Sequence, residues 1–342
     1  MKILVVTKNW LGDILFQIPA FEVLRKKYPA AEIICMSPAR CQEILEAHPA
    51  VNRVLIFDEK KEHRSWAKRL AFVFKLRQER FDCAYLLHGS RTRAALLWLA
   101  GIPSRTGFEE NRIGFLTRAI KKPKLPLHQV DYFLYLIEQS ENVPHEFHPY
   151  HFYFSEKDAA SAKSKLKNLS ASPYLCFHLG ANWELKRWPV THFAKLADLI
   201  HQKWGMPIVV TGGAQDRSLA EELKKQVHHA SLMIFTGQTT LGELGAIFKE
   251  STLVISGDSG PMHIASGVGA PVIALFGPTD PDWTGPRGTG KVILLRYIPQ
   301  GFEVPWIGEE KDFPNEGWMS RIRPEQVMDA IEKEGIVLSH RA

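Results

Sequence analysis

The sequence alternates short apolar, β-branched runs with longer stretches of helical periodicity, and it does so in two successive series. Residues 2–7, 32–36, 54–57 and 83–87 read as strands, with helical stretches at 11–28 and 64–78 among them. The pattern lapses over residues 141–149, a polar stretch holding Pro144, Pro149, His145 and His148, with His151 just beyond. After a helix at 156–168 the alternation resumes. Strands are expected at 175–179, 207–211, 253–256 and 272–276, and helices at 191–203, 215–226 and 240–249. Apolar runs this short, separated by helices, predict parallel sheets covered on both faces, an α/β fold. The length, 342 residues, fits two such doubly wound domains of roughly 100–200 residues each. Their join is expected within 142–170. Beyond it, residues 301–323 are irregular and aromatic, and Pro324 opens a last helix to about Lys333.

Several function classes drop out early. No apolar run approaches the ~20 residues that cross a bilayer. The first run stops at Lys8 and Asn9, too short for a signal-peptide core, and reads as a strand. The four cysteines, Cys35, Cys41, Cys83 and Cys176, make no CxxC and no paired metal spacing, which suits reduced, buried cytosolic thiols. A P-loop, a GxGxxG after a strand, HExxH and the GxSxG elbow are all missing. The net charge of +6 favours anionic partners, among them nucleic acid, a lipid surface or phosphorylated small molecules.

Ligands of open α/β sheets bind beyond the carboxyl ends of strands, and three loops stand out there. The first is residues 7–13. Gly12 permits a tight turn or close approach, and Asp13 falls in the first turn of a helix, whose dipole favours its ionised form. The second, residues 178–189, offers small Gly180 and Ala181, the amide of Asn182 and the cations Lys186 and Arg187, a set suited to phosphate. The third, residues 256–267, ends a strand in a glycine-bracketed turn before Pro261. Amides near Ser259 and Gly260 would face an anion, with Asp258 at the turn and His263 one turn into the helix. A plain helix cap by Asp258 or Ser259 is compatible with that use.

With these loops in view, the chain resembles the ADP-heptose:lipopolysaccharide heptosyltransferases, glycosyltransferase family nine, in a heptosyltransferase II-like form. The resemblance rests on an ordered set spanning nearly the whole length. Trp10-Leu11-Gly12-Asp13-Ile14, Ser90-Arg91-Thr92-Arg93, Ala100-Gly101-Ile102-Pro103 and Arg105-Thr106-Gly107-Phe108 carry it in the first half. Lys186-Arg187-Trp188-Pro189, Gly212-Gly213, residues 257–263 and residues 270–279 carry it in the second.

The resemblance implies a GT-B architecture, two facing Rossmann-like domains with the active site in the cleft between them and a C-terminal helix crossing back to the first. The acceptor domain would be residues 1–155 with the helix 324–342, and the nucleotide-sugar domain 156–323. It implies a cytosolic enzyme at the inner face of the bacterial inner membrane. That enzyme moves heptose from ADP-L-glycero-D-manno-heptose to the lipopolysaccharide inner core, with inversion and without a metal or other cofactor. Asp13 matches the family's general base. Lys186, Asp258, Ser259, Gly260 and His263 match donor contacts, with Asn182 a candidate for phosphate and Asp216 for the ribose. The acceptor, an anionic lipid A–Kdo glycolipid, calls for a basic first domain, for which Gly12, Arg91, Arg93, Arg105 and Arg112 are candidates, with Arg118 nearby.

Lys60, Lys61, Arg64, Lys68 and Arg69 form a further basic segment, either a solvated helix face or a contact with anionic headgroups. Two departures stand out. Residues 305–323 lack the cysteines many second-heptose enzymes carry there, which leaves the choice of heptose open, and Asn182-Trp183 replaces small hydroxyl residues. The alternatives are a GT-B enzyme using another nucleotide sugar, or a non-catalytic nucleotide-sugar or lipid A binding protein. A nucleic-acid partner is not expected, because no recognition module is present.

Overall fold

The computed structural model describes residues 1–109, 114–146, 148–169, 173–305, 313 and 317–336. The chain divides into two compact units, Met1–Tyr150 and His151–Ala342.

The first unit holds six parallel strands, β1 (Lys2–Val6), β2 (Glu32–Ser37), β3 (Arg53–Ile56), β4 (Cys83–Leu86), β5 (Ser104–Phe108) and β6 (Arg118–Ile120), in the order β3-β2-β1-β4-β5-β6. Its helices are α1 (Leu11–Lys27), α2 (Gln42–Glu46), α3 (Trp66–Glu79), α4 (Arg91–Leu99) and α5 (Gln129–Glu141). Helix α1 is apolar nearly all round from Ile14 to Leu24, which buries it, and α5 packs alongside it. Three charges at its end, Arg25, Lys26 and Lys27, complement the helix dipole. Helices α3 and α4 share a core with the sheet, in which Phe72, Val73, Leu76, Ala94 and Leu97 meet Leu4, Val6 and Leu86.

The second unit repeats the plan. After α6 (Glu156–Lys165) come β7 (Leu175–His178), α7 (Val190–Trp204), β8 (Ile208–Thr211), α8 (Arg217–Gln226), β9 (Leu232–Ile234), α9 (Leu241–Glu250) and β10 (Leu253–Gly257). Then follow α10 (Gly260–Gly267), β11 (Val272–Phe276), α11 (Pro281–Thr284), β12 (Val292–Arg296) and α12 (Pro324–Lys333). All six strands are parallel, ordered β12-β11-β10-β7-β8-β9. In each unit the strand order therefore reverses at one central pair, β1/β4 in the first and β7/β10 in the second, which is where such sheets open a crevice.

The division differs from the expected one in two respects. The boundary falls at 150/151, so residues 151–155, which the sequence places in the first domain, lie in the second unit. The last helix also lies there. Val327, Met328 and Ile331 are buried in the second unit's core against α7, and Lys195–Glu325 and Lys203–Glu332 pair along the seam. The apolar spacing of α12 matches a groove on its own sheet's helix layer, and burial there decides its place.

The four cysteines are free and buried. Among the described residues no helix is long and apolar enough to cross a membrane.

Candidate functional site

At the β1/β4 reversal the loops leaving the two strands are bonded to each other. Asn9 Nδ2 lies 3.0 Å from His88 Nε2. Thr7 continues the sheet by donating its N–H to Met36 O at 3.1 Å. Trp10 takes the N-cap position of α1 with an extended backbone and no side-chain cap bond. The first turn behind it carries half-buried Gly12 and Asp13. Both candidates thus stand at the carboxyl edge of the sheet. Cys41, buried beneath this loop, is pushed up to about 11, by burial chiefly, with the Asp13 charge adding to it.

The arginines expected to face an acceptor are not alike. Arg93 is 1% exposed. It lies behind the first loop, donating from Nη1 to Thr7 O and from Nη2 to Asn9 Oδ1, each at 2.8 Å, with Glu59 Oε1 3.7 Å from Nε. Its buried guanidinium is thus engaged with the first loop and holds it in place. Arg105 is also engaged internally, donating from Nε to Phe115 O at 2.6 Å and from Nη1 to Ile102 O, so it braces the β5–β6 connection. Arg91 is exposed at the start of α4, 5.9 Å from the Phe115 ring, and Arg118 is exposed and donates to Gln139 O. Arg112 lies outside the described residues.

At the β7/β10 reversal of the second unit the corresponding loops are bound by charge. Lys186 Nζ lies 2.6 Å from Asp258 Oδ2, and Thr279 Oγ1 donates to the same oxygen at 2.6 Å. Burial pushes the Asp258 carboxyl up, but Lys186 and the hydroxyl outweigh it and hold the group below its ordinary value. The ammonium also sits 4.3 Å from the Trp183 ring centroid. The backbones meet as closely as the side chains. A Cβ on Gly257 would come 2.5 Å from Lys186 O, so only glycine fits at that strand end.

Ser259 is the N-cap of α10, with an extended backbone and no side-chain cap bond. Its hydroxyl lies 3.1 Å from Ser256 Oγ. Ser259 and Gly260 are half-buried, while His263 is buried one turn on. The start of α10 can therefore offer backbone donors and the positive end of its dipole to an anion.

Two donor candidates fall elsewhere. Asn182 is exposed on the second loop. Asp216, the ribose candidate, is 2% exposed and accepts from Gly213 N–H at 2.8 Å. Its carboxylate packs under Gly180, so it shapes the loop from beneath. Sequence reasoning passed over Asn9, His88, Glu59 and Thr279. Asn9 and Thr279 lie inside runs that drew attention for other residues. Glu59 and His88 carry no local signal, because their relevance comes from the fold bringing them to Arg93 and Asn9. Among the described residues no group of three or more His, Cys, Asp or Glu is placed to hold a metal ion.

Two Rossmann-like units in one chain, each with paired loops at its strand-order reversal, give the architecture of the GT-B type. A family model described as glycosyltransferase family 9 (heptosyltransferase) matches residues 69–303. The chain is 30% identical to lipopolysaccharide heptosyltransferase 2 of Escherichia coli K12, over 97% of each chain. It superposes on the structure of E. coli ADP-heptose lipopolysaccharide heptosyltransferase II with a TM-score of 0.80 at 27% identity, covering 97% of this chain and 98% of that one. A family 9 glycosyltransferase from Veillonella parvula DSM 2008 gives 0.87 at 25% identity, covering 97% and 96%. The chain belongs to glycosyltransferase family 9, the heptosyltransferases, and is an enzyme of that class.

Proposed function

We propose that this enzyme moves heptose from ADP-L-glycero-D-manno-heptose to the lipopolysaccharide inner core, on Kdo₂-lipid A or its heptosylated form, with inversion at the anomeric carbon. It would act at the cytosolic face of the inner membrane, where that glycolipid is exposed. The observation that carries the reading is the equipment of the second unit's strand reversal. A Lys186–Asp258–Thr279 cluster stands beside the start of α10, whose cap hydroxyl does not close the first turn. An ADP leaving group gains negative charge as the glycosidic bond breaks, and oriented amides with an ammonium stabilise that charge. Asp258 and His263 serve the sugar side, and Asn182 a phosphate.

In the first unit Asp13 is the general base. A carboxylate of ordinary pKa about 3.9 does not deprotonate an alcohol before attack, so the proton leaves late, in concert with bond formation. Such assistance is worth about 10²–10⁴-fold. Exposed Arg91 meets acceptor phosphate or carboxylate groups, and Arg93 acts through the loop it holds.

The test is direct. The purified enzyme is incubated with ADP-heptose and, separately, Kdo₂-lipid A or the mono-heptosylated glycolipid, and the products are weighed by mass spectrometry. A gain of one heptose on either acceptor is expected, lost in Asp13→Asn while ADP-heptose binding persists. Transfer from another nucleotide sugar in preference to ADP-heptose would overturn the donor, and unchanged turnover in Asp13→Asn would remove the base.

A further inference from the structure

Helix α3 is apolar on two faces. Phe72, Val73 and Leu76 point into the first unit's core. On the other side Trp66, Leu70 and Phe74 are 78%, 54% and 55% exposed. Spaced four residues apart, these three form one outward stripe about 12 Å long, with small Ala67 and Ala71 beside it. A helix that only closes a core has no use for that stripe, and an exposed apolar face of this kind marks a contact surface.

The charge around the stripe identifies the partner. Residues 60–80 hold eight Lys and Arg against two Glu, an excess equal to the net +6 of the whole chain. Arg77 continues the line of the stripe one turn on, and Lys68 and Lys75 stand on the exposed face beyond Ala67 and Ala71, with Lys60, Lys61 and Arg64 exposed ahead of the helix. One of the two acids, Glu79, is already paired with Arg53 at 2.7 Å and Lys2 at 3.1 Å. Arg69 lies 5.4 Å from the Trp66 ring centroid. Neighbouring α4 adds half-exposed Trp98 and Leu99 at its end. Aromatic and aliphatic side chains outward, ringed by cations, is the pattern of a helix that lies in the headgroup region of an anionic bilayer. A second copy of the chain would bring the same positive excess against itself, and nucleic acid would gain little from a Leu–Phe face.

We infer that the outward face of α3, centred on Trp66, Leu70 and Phe74, docks the enzyme on an anionic phospholipid surface, the stripe entering the headgroup layer while the flanking cations meet lipid phosphates. This deepens the functional reading above and rests on it for the purpose of docking, since a lipid-anchored acceptor is met only at a membrane. The binding itself is separable from catalysis.

The experiment is co-sedimentation of the full-length enzyme with vesicles of phosphatidylethanolamine and phosphatidylglycerol, and with vesicles of phosphatidylcholine alone. Binding to the anionic vesicles is expected, weakened by salt and poor on the neutral ones. Trp66→Ser/Leu70→Ser/Phe74→Ser and, separately, Lys68→Gln/Lys75→Gln/Arg77→Gln should each weaken it about tenfold or more. Because all six side chains are exposed, thermal unfolding should stay at the parental temperature and confirm that the variants fold. Equal binding to both vesicle types, or parental binding by the apolar triple variant, overturns the proposal. So does an apolar-dependent dimer in sedimentation velocity without vesicle binding. Transfer to a deacylated, soluble acceptor should be the same in parent and apolar variant. Vesicle binding of the expected pattern without any transfer would leave docking intact and sink the functional reading, and transfer without vesicle binding would do the reverse.

Discussion

Arg93 Nη1 donates to the Thr7 carbonyl at 2.8 Å, eighty-six residues back along the chain, while its Nη2 holds Asn9 Oδ1. The guanidinium thereby ties the start of α4 to the loop that presents Asp13. Arg93→Lys keeps the charge but lacks the planar fork that serves two acceptors. A base displaced by a fraction of an ångström loses alignment, so turnover should fall about ten- to hundredfold. ADP-heptose affinity should hold, since the residues proposed to bind the donor lie in the other unit. Steady-state turnover beside calorimetric donor binding checks this. An equal loss in both would mean a general folding defect.

Lys186 and Asp258 form a pair that is hard to break from one side. Lys186→Met leaves a buried carboxylate with only the Thr279 hydroxyl, at a cost of about 3–5 kcal/mol. The urea midpoint should drop accordingly, and Lys186→Met/Asp258→Asn should recover much of the loss while remaining inactive. No recovery in the double variant would show that the lysine's stem, not its charge, supports the fold.

Much of the fold was legible because it is written in periodicity. The strands at 2–6, 32–37, 175–178 and 272–276 fall within a residue of their apolar runs. Strands β5 and β6 were not read, because they carry little apolar pattern, and β9 and β12, apolar but half-buried at the two edges of the second sheet, were passed over, β9 being only three residues long. Arg118–Ile120 is exposed at the sheet's edge, and Ser104–Phe108 begins with polar residues. The three loops were legible as glycine-rich strand ends. What each polar side chain does there was not, because an arginine's role depends on whether the fold covers it. Arg91 and Arg93, two positions apart on α4, end respectively in solvent and behind Thr7.

Gly180 and Asp216 offer a steric test of loop shape. A Cβ at 180 would stand 2.1 Å from Asp216 Oδ2, the oxygen that accepts from Gly213 N–H. Gly180→Ala should push the carboxylate off that donor and cost about 1–3 kcal/mol. Asp216→Ala removes the obstacle, so Gly180→Ala/Asp216→Ala should cost less than the two single changes together. Chemical unfolding of the four proteins measures the coupling, and strict additivity would show that the two residues do not meet.

His178, at the end of β7, is buried with Nδ1 3.1 Å from Thr211 Oγ1, and burial pushes its imidazole down to about 4. In the unfolded chain the ordinary value is about 6.5. Above that value the ring is neutral in both states and contributes nothing to the pH dependence. As the pH falls from there towards 4, the unfolded chain takes up a proton that the folded one refuses, so stability drains away. Between pH 7 and pH 5 this residue should cost about 2 kcal/mol, because each unit of displacement is worth about 1.4 kcal/mol. His178→Gln does not titrate and keeps an amide to meet Thr211, so its stability should decline less over the same interval, even if it starts lower. Urea unfolding of both proteins at pH 7, 6 and 5 gives the two slopes. Parallel slopes would mean that the buried imidazole is protonated in the folded protein as readily as in the unfolded chain.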